Sequence, residues 1–344
     1  MKRFNIVNIK STFNSITDLI FEMTEKASLE NYGGFRREGL GRINSSFFSF
    51  VFLCGGNRNT HKSRNTLTNI LEKNSDIKII ISEDLANYKG NLNLLVFEGV
   101  LEAISKMILI PIESFGTACE LGAFTRMKES DNKVVAILDK TKSKDNSFIN
   151  YGPIEYLRNI GDDRVYTATF LQRTGKSYLC VNSSIKSLYK HSLLSTENKI
   201  VKYYGELEGT TVSITDLFSF FVAIVDLACL VGFVNVDFIV SFFRRLTGAD
   251  SLNVKTGTLD CDERAFPDVI LSLLNILHSI GFLKKSGDLY LVDESKLVMN
   301  DAKTKDRWIG RILFTVKFTR TDEYLIIKSV CQEYKRKIEQ NGYY

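Results

Sequence analysis

Between residues 46 and 170 the sequence alternates between two hydrophobic periods, and this restricts the fold more than any other feature. Short apolar runs rich in β-branched and aromatic residues stand at FFSFVFLC, IKIIIS, KMILIPI, KVVAILD and RVYTATF, and most of the intervening segments have helical spacing. Runs that are apolar at every position suit strands buried on both faces, which a parallel sheet covered by helical crossovers provides. The expected architecture is α/β, a doubly wound parallel five-stranded sheet (flavodoxin/Rossmann-like) with right-handed connections. Such sheets bind ligands beyond the carboxyl ends of their strands, where strand order reverses. The loops in that position are CGGNRNTH, SEDLANYKG, ESFGTACE and KTKSKDNSFINYGP.

After about residue 205 the pattern changes to helices. The segment LFSFFVAIVDLACLVGFVNVDFIVSFF from Leu217 is apolar enough to raise the question of a membrane span, but Asp226 and Asp237 interrupt it. A carboxylate at mid-bilayer costs about 2.5–3.5 kcal/mol, so two buried helices divided near Gly232 are expected instead. Pro267 suits the first turn of a further helix, and FLKK, a turn at Ser286-Gly287-Asp288 and LYLV then form a hairpin. Helices followed by such a hairpin suggest a C-terminal helical, winged-helix-like domain, a form used to bind nucleic acid or protein. The expected division is an N-terminal arm over 1–45 containing the loop NYGGFRREGLG, a catalytic domain over 46–205 and the winged-helix-like domain over 206–344.

A chain of 344 residues accommodates two cores. Its six cysteines include no C-x-x-C pair, and its three histidines do not accompany them at ligand spacing, so neither a metal nor a disulfide framework is expected. The N-terminus lacks the continuous apolar core of a signal peptide, which with the unpaired cysteines reads as cytoplasmic. Of the net charge of +5, an excess of four comes from residues 301–344, where ten Lys/Arg face six Asp/Glu. Lys335, Arg336 and Lys337 beside Tyr334, and Lys284 and Lys285 on the hairpin, suit phosphate or partner contact, or a solvated face.

The stretch PIESFGTACELGAF sets Glu120 among small residues. Thr117-x-x-Glu120 matches a capping box, in which the glutamate folds back onto its own helix. The alternative is a carboxylate projecting into the crevice, where it would stabilise positive charge or trap a sugar carbon covalently. Other positions have similar pairs of readings. Gly55 and Gly56 let backbone approach a ligand, or form a tight turn. His61 binds phosphate or orients a base, or is structural. Asp84 bonds ribose hydroxyls, or caps a helix. Tyr151 could stack on a base, and Lys140, Lys142 and Lys144 suit a solvated loop or a phosphate.

The string GTACELGA resembles the G-T-x-x-E-x-G signature of nucleoside 2-deoxyribosyltransferases, which makes Glu120 the nucleophile and Gly116 and Thr117 parts of the site. That resemblance implies a second acidic residue on the preceding helix, where Glu98 stands. It also implies an acid about six residues before the nucleophile, where this chain has Ser114 with Glu113 next to it. FLCGG, EDL, PIES through ELGAF and SFINYGP are together similar to the deoxyribosyltransferase-like effectors of bacterial retrons. The likeness implies an N-glycosidase toxin of antiphage defence that cleaves the N-ribosyl bond of NAD or a related nucleotide as substrate, with no cofactor. Ribosyl transfer and non-catalytic nucleotide sensing are the alternatives. The implied partners are a retron reverse transcriptase and its multicopy single-stranded DNA with its RNA, with no membrane and with room for higher-order assembly.

Overall fold

The computed structural model describes residues 6–29, 41–44, 49–57, 59–74, 77–85, 90–126, 130–194, 198–201, 205–208, 210–256, 259–293 and 322–340. The expected loop NYGGFRREGLG lies almost wholly outside the described residues, as does the basic stretch from 301 to 321. After helix α1 (Ile6–Leu29) and the short strand β1 (Gly41–Asn44), the five apolar runs become strands β2 (Ser49–Leu53), β3 (Ile77–Ile80), β4 (Met107–Pro111), β5 (Val134–Asp139) and β6 (Val165–Arg173). Between them lie α2 (Ser63–Leu71), α3 (Ser82–Leu85), α4 (Leu94–Ile104), α5 (Phe115–Arg126) and α6 (Glu155–Ile160).

The sheet has six strands rather than five. Strand β7 (Lys176–Cys180) runs antiparallel to β6, and the order is β3-β2-β4-β5-β6-β7 with every other pair parallel. KSYLC escaped the periodicity because it is a short, half-exposed edge strand, entered through a turn at Thr174 and Gly175, both with positive φ. Strand order reverses at β2, which sits between β3 and β4.

Alternate side chains of the central strands feed two apolar layers, as period-2 geometry requires. Phe50, Phe52, Ile108, Ile110, Val134 and Ala136 face α4, α5 and α8 (Leu217–Val231), and Phe52 meets Phe124 of α5 edge-on at 5.8 Å. Val51, Leu53, Met107, Leu109, Val135 and Ile137 face α2 and α7 (Ser183–Lys186).

The C-terminal half is less purely helical than expected. Strand β8 (Asn198–Val201) pairs with β1, while β9 (Gly205–Glu208), β10 (Thr211–Ile214), β12 (Ser251–Thr256) and β13 (Leu259–Cys261) form a sheet of order β13-β12-β10-β9. A three-stranded sheet of order β11-β15-β14 joins β11 (Phe233–Val234) to the hairpin β14 (Leu283–Ser286) and β15 (Leu289–Val292). Helix α8 ends at Gly232, whose φ of 85° is the left-handed conformation that glycine adopts without strain, and α9 (Val236–Thr247) follows. Its 15 residues give roughly 22 Å at helical rise, short of the ~30 Å bilayer core. Among the described residues no helix is long and apolar enough to cross a membrane.

Helices α10 (Phe266–Ser279) and α11 (Asp322–Gln340) complete the half. The N-terminal helix belongs to this half in space: Phe13 stacks on Phe238 of α9 at 4.4 Å, Asp18 pairs with Arg245, and α1 packs along α11. The apolar layer of α4 and α5 runs unbroken into α8, α9 and α10.

Candidate active site

The groups of interest converge at the carboxyl ends of β2, β3 and β4. Strand β2 runs into Cys54, whose N–H donates to Leu109 O of β4 at 3.0 Å, and then into Gly55 and Gly56. A Cβ on Gly55 would collide with the Arg64 side chain, and one on Gly56 with the His61 ring. The space that a Cβ would take at these glycines is filled by the protein's own guanidinium and imidazole.

Arg64 opens α2 and is almost wholly buried; its Nη2 donates to Gly55 O and pairs with Glu83 on α3. Glu113 is anchored from three directions. It accepts from Gly56 N at 3.1 Å and from the Ser63 hydroxyl, and its Oε2 lies 3.6 Å from His61 Nδ1. Its side chain is 1% exposed, so Glu113 is a fastener between the β2 loop and the start of α5.

The capping box is real but lies three residues earlier than the sequence spacing suggested. Thr117 N donates to Ser114 Oγ at 3.2 Å, and Ser114 N donates to Thr117 Oγ1 at 3.0 Å. Thr117 Oγ1 also accepts from Glu113 N at 3.1 Å. Ser114 is thus the N-cap of α5, and Thr117 is its reciprocal partner. Glu120 is released from capping and sits in the second turn of α5, beyond the end where the helix dipole would favour its ionised form.

Glu120 Oε2 is instead buried with no hydrogen-bond partner. Burial first, and then the neighbouring carboxylates Glu98 and Glu83, push its pKa up to about 7; the neighbouring Cys54 thiol and the Arg64 charge oppose that rise. Glu98, on α4, is likewise raised, chiefly by burial and also by Glu83, against the nearby Ser82 hydroxyl, which donates to Glu83 at 3.3 Å. The arrangement is three carboxylates and one guanidinium at the carboxyl ends of β2 and β3, with Glu120 pushed toward its neutral form.

The remaining expected positions divide by exposure. Asp84 is exposed in α3, while its neighbour Glu83 makes the ion pair with Arg64. Gly116 is exposed at the start of α5, and an added Cβ would meet only Ser114 Oγ, at 3.7 Å. Tyr151 is 65% exposed and donates to Asn146 Oδ1 at 2.7 Å. Sequence reasoning missed Cys54, Ser63, Arg64, Ser82 and Glu83. Cys54 and Glu83 stood inside quoted strings, but the Arg64 pairing spans 19 residues and follows no local spacing.

The basic positions of the C-terminal half also separate. Lys284 is exposed and pairs with Asp293 at 3.2 Å, and Lys285 lies over the Tyr290 ring at 5.2 Å from its centroid. Arg336 is exposed, and Lys337 pairs with Glu333 at 2.6 Å. Lys335 is largely covered: its side chain is 11% exposed and its Nζ donates to Val292 O at 3.1 Å, over Gly232.

Comparison with known proteins places these features in a family. An Escherichia coli protein named "Retron Ec86 putative ribosyltransferase/DNA-binding protein" is 37% identical over 171 residues, which cover 46% of this chain and 55% of that protein. A counterpart from retron Ec73 of the same organism, named in the same terms, is 32% identical over 116 residues, covering 31% of this chain and 37% of that protein. These matches span about half or less of the curated relatives' length. A family model described as "STM3845 retron effector protein" matches residues 60–285, a span that contains Glu98, Glu113 and Glu120. The chain belongs to the STM3845 retron effector family.

Proposed function

We propose that this retron effector is an N-glycosidase whose Glu120 cleaves the N-ribosyl bond of NAD or a related nucleotide, in antiphage defence. The observation that carries the reading is the release of Glu120 from its helix cap into the Cys54–Glu98–Arg64 cluster, with one carboxylate oxygen left without a partner. In the ionised form a Glu120 carboxylate oxygen bonds to the anomeric carbon as the carbon–nitrogen bond breaks, and the bonding pair departs with the base. A nicotinamide leaves neutral, because its ring nitrogen already carries the positive charge. A purine needs a proton, and Glu98, held toward its protonated form by burial, is the group assigned to supply it. Water then takes the sugar and Glu120 is regenerated.

Ribosyl transfer is the second reading, supported by the ribosyltransferase wording in the relatives' names. Product identity separates the two. When the protein is incubated with NAD and excess adenine or a nicotinamide analogue, mass spectrometry should show mainly ADP-ribose; mainly base-exchanged nucleotide would establish the transferase. Absence of any released base across NAD and a panel of nucleotides would leave neither enzyme standing.

The C-terminal half has the element order of a winged helix, namely helix, short strand, two helices and a hairpin, with β12 and β13 inserted between the two helices. We infer that it meets the reverse transcriptase or its multicopy DNA through the exposed Lys284, Lys285, Gly287 and Asp288 of the hairpin, whose second strand is buried. Helix α10, in the place of a recognition helix, is buried from Val269 to Leu277 apart from half-buried Leu271, and packs against α3 and α4. A helix apolar all round is a core element, not a groove reader.

A further inference from the structure

We propose that the segment Lys140–Tyr151 is the subsite for the nucleoside diphosphate half of a dinucleotide substrate, with Lys140, Lys142 and Lys144 on its phosphates and Phe148 and Tyr151 against its base. The inference deepens the glycosidase reading and rests on it, since it supplies a hold on the half of the substrate that does not react. Two independent features of the segment point to such a ligand. It carries three lysines against one acid, Asp145, and all three lysines are exposed with no ion pair among the described residues. It also turns two aromatic side chains out to solvent, Phe148 at 85% exposure and Tyr151 at 65%. Cations and exposed rings on one short segment match a ligand that is both anionic and flat-ringed.

The segment is held in shape before any ligand arrives. Asn150 is buried, and its Nδ2 donates to Lys142 O and to Asp145 O, both at 2.8 Å. Lys142 N donates to Asp139 O at 2.9 Å, Ser147 N to Asp145 O at 2.9 Å, and the Ser143 hydroxyl to Lys140 O at 2.8 Å. The backbone that bears the lysines is thus fixed from within, and only their side chains remain to be ordered by a ligand. The rings are fixed as well. The Tyr151 hydroxyl donates to Asn146 Oδ1 at 2.7 Å, and a Cβ on Gly152 would stand 3.6 Å from the Phe148 ring, which therefore lies over the backbone there. Rings held in place at such exposure offer a face to a base at little entropic cost.

Its place in the fold links the segment to Glu120. It leaves the carboxyl end of β5, the strand beside β4, and the carboxyl end of β4 leads into α5. It ends in the helical turn Asn150–Ile154, which packs against α5, the helix that carries Glu120. A free nucleoside would have no use for these cations. A dinucleotide extends past the reacting ribose, and its pyrophosphate brings the negative charge that the ammonium groups match. Lysine suits the task, as a mobile point charge that meets phosphate oxygens without a fixed fork geometry. A strand of DNA also offers phosphates and bases. The segment, however, lies at the sheet end that holds Glu120, so the unreacting half of a substrate is the ligand that its position favours.

Equilibrium binding to full-length protein, with ADP as the probe and adenosine as its uncharged counterpart, tests the subsite without requiring any cleavage. The wild type should bind ADP more tightly than adenosine. Lys140→Gln, Lys142→Gln and Lys144→Gln together should lower ADP affinity roughly tenfold and leave adenosine affinity within about twofold. Phe148→Ala should lower both affinities about tenfold. The replaced side chains are all exposed, so the fold should tolerate the changes. In base-release assays both variants should raise KM for NAD by similar factors. Unchanged ADP affinity in the lysine variant, or a wild type that binds ADP no better than adenosine, would overturn the proposal. So would weakened binding of single-stranded DNA by the lysine variant with its ADP affinity intact. ADP binding that responds as expected in a protein that releases no base would instead sink the glycosidase reading and leave a nucleoside diphosphate site standing.

Discussion

At the scale of single residues, the decisive feature is which serine or threonine caps α5. With Ser114 and Thr117 satisfying each other, Glu120 gains nothing from its own backbone and is raised to about 7 by burial and like charge. Such a group opposes folding when ionised. Its carboxyl binds a proton more tightly in the fold than at its ordinary value of 4.5, so stability is full below about pH 4.5 and is lost as pH rises through 7. Glu120→Gln should therefore stabilise the protein at pH 8 by about 2 kcal/mol, after discounting for partial exposure, and leave it nearly unchanged at pH 4.5. Thermal melts at both pH values check this; equal stabilisation at both would mean that the charge is not what costs stability. The Ser114-x-x-Thr117 spacing was present in the sequence. It was overlooked because a glutamate three residues after Thr117 matches the commoner form of the box, and only coordinates separate two overlapping boxes.

At the scale of elements, strands β2 to β6 were legible because each is apolar at nearly every position, the mark of burial on two faces. Strands such as GELE, TVSI and LDC were not, because segments of three or four residues take their identity from long-range pairing and not from local period. The Ser-Gly-Asp hairpin was legible through turn chemistry, with Gly287 at a φ of 59°. The lysines on the C-terminal elements looked alike in sequence and differ in space. Charge reversal at Lys284 and Lys285 should weaken association with single-stranded DNA and reduce the slope of log K against log salt by about 1.4 if both meet phosphates. Lys335→Met should leave that slope unchanged and cost about 1–2 kcal/mol of stability through the lost bond to Val292 O. Salt-dependent binding and urea melts of the two variants give the comparison; a changed slope for Lys335→Met would return it to the contact surface.

At the scale of the whole molecule, the site is not carried by the six-stranded sheet alone. Helix α4, which holds Glu98, lies between that sheet and helices α8 and α10, and Phe221 of α8 reaches Phe50 of β2 at 5.6 Å. Asp268 at the start of α10 accepts from Asn91 N at 3.3 Å, at the turn leading into α4. Residues 46–205 expressed alone should therefore aggregate or lack a dispersed NMR spectrum, since the apolar face of α4 would be exposed. A soluble, well-dispersed fragment would show that the sheet layer closes without its C-terminal cover. The central claim, that Glu120 performs the bond cleavage, is tested most directly by base release from NAD and other nucleotides at pH 8, comparing wild type with a Glu120→Gln variant shown to be folded by its melt. Loss of carboxylate stabilisation worth about 3–4 kcal/mol predicts a fall of roughly a hundredfold to a thousandfold. Base release by the folded variant at the wild-type rate would contradict it.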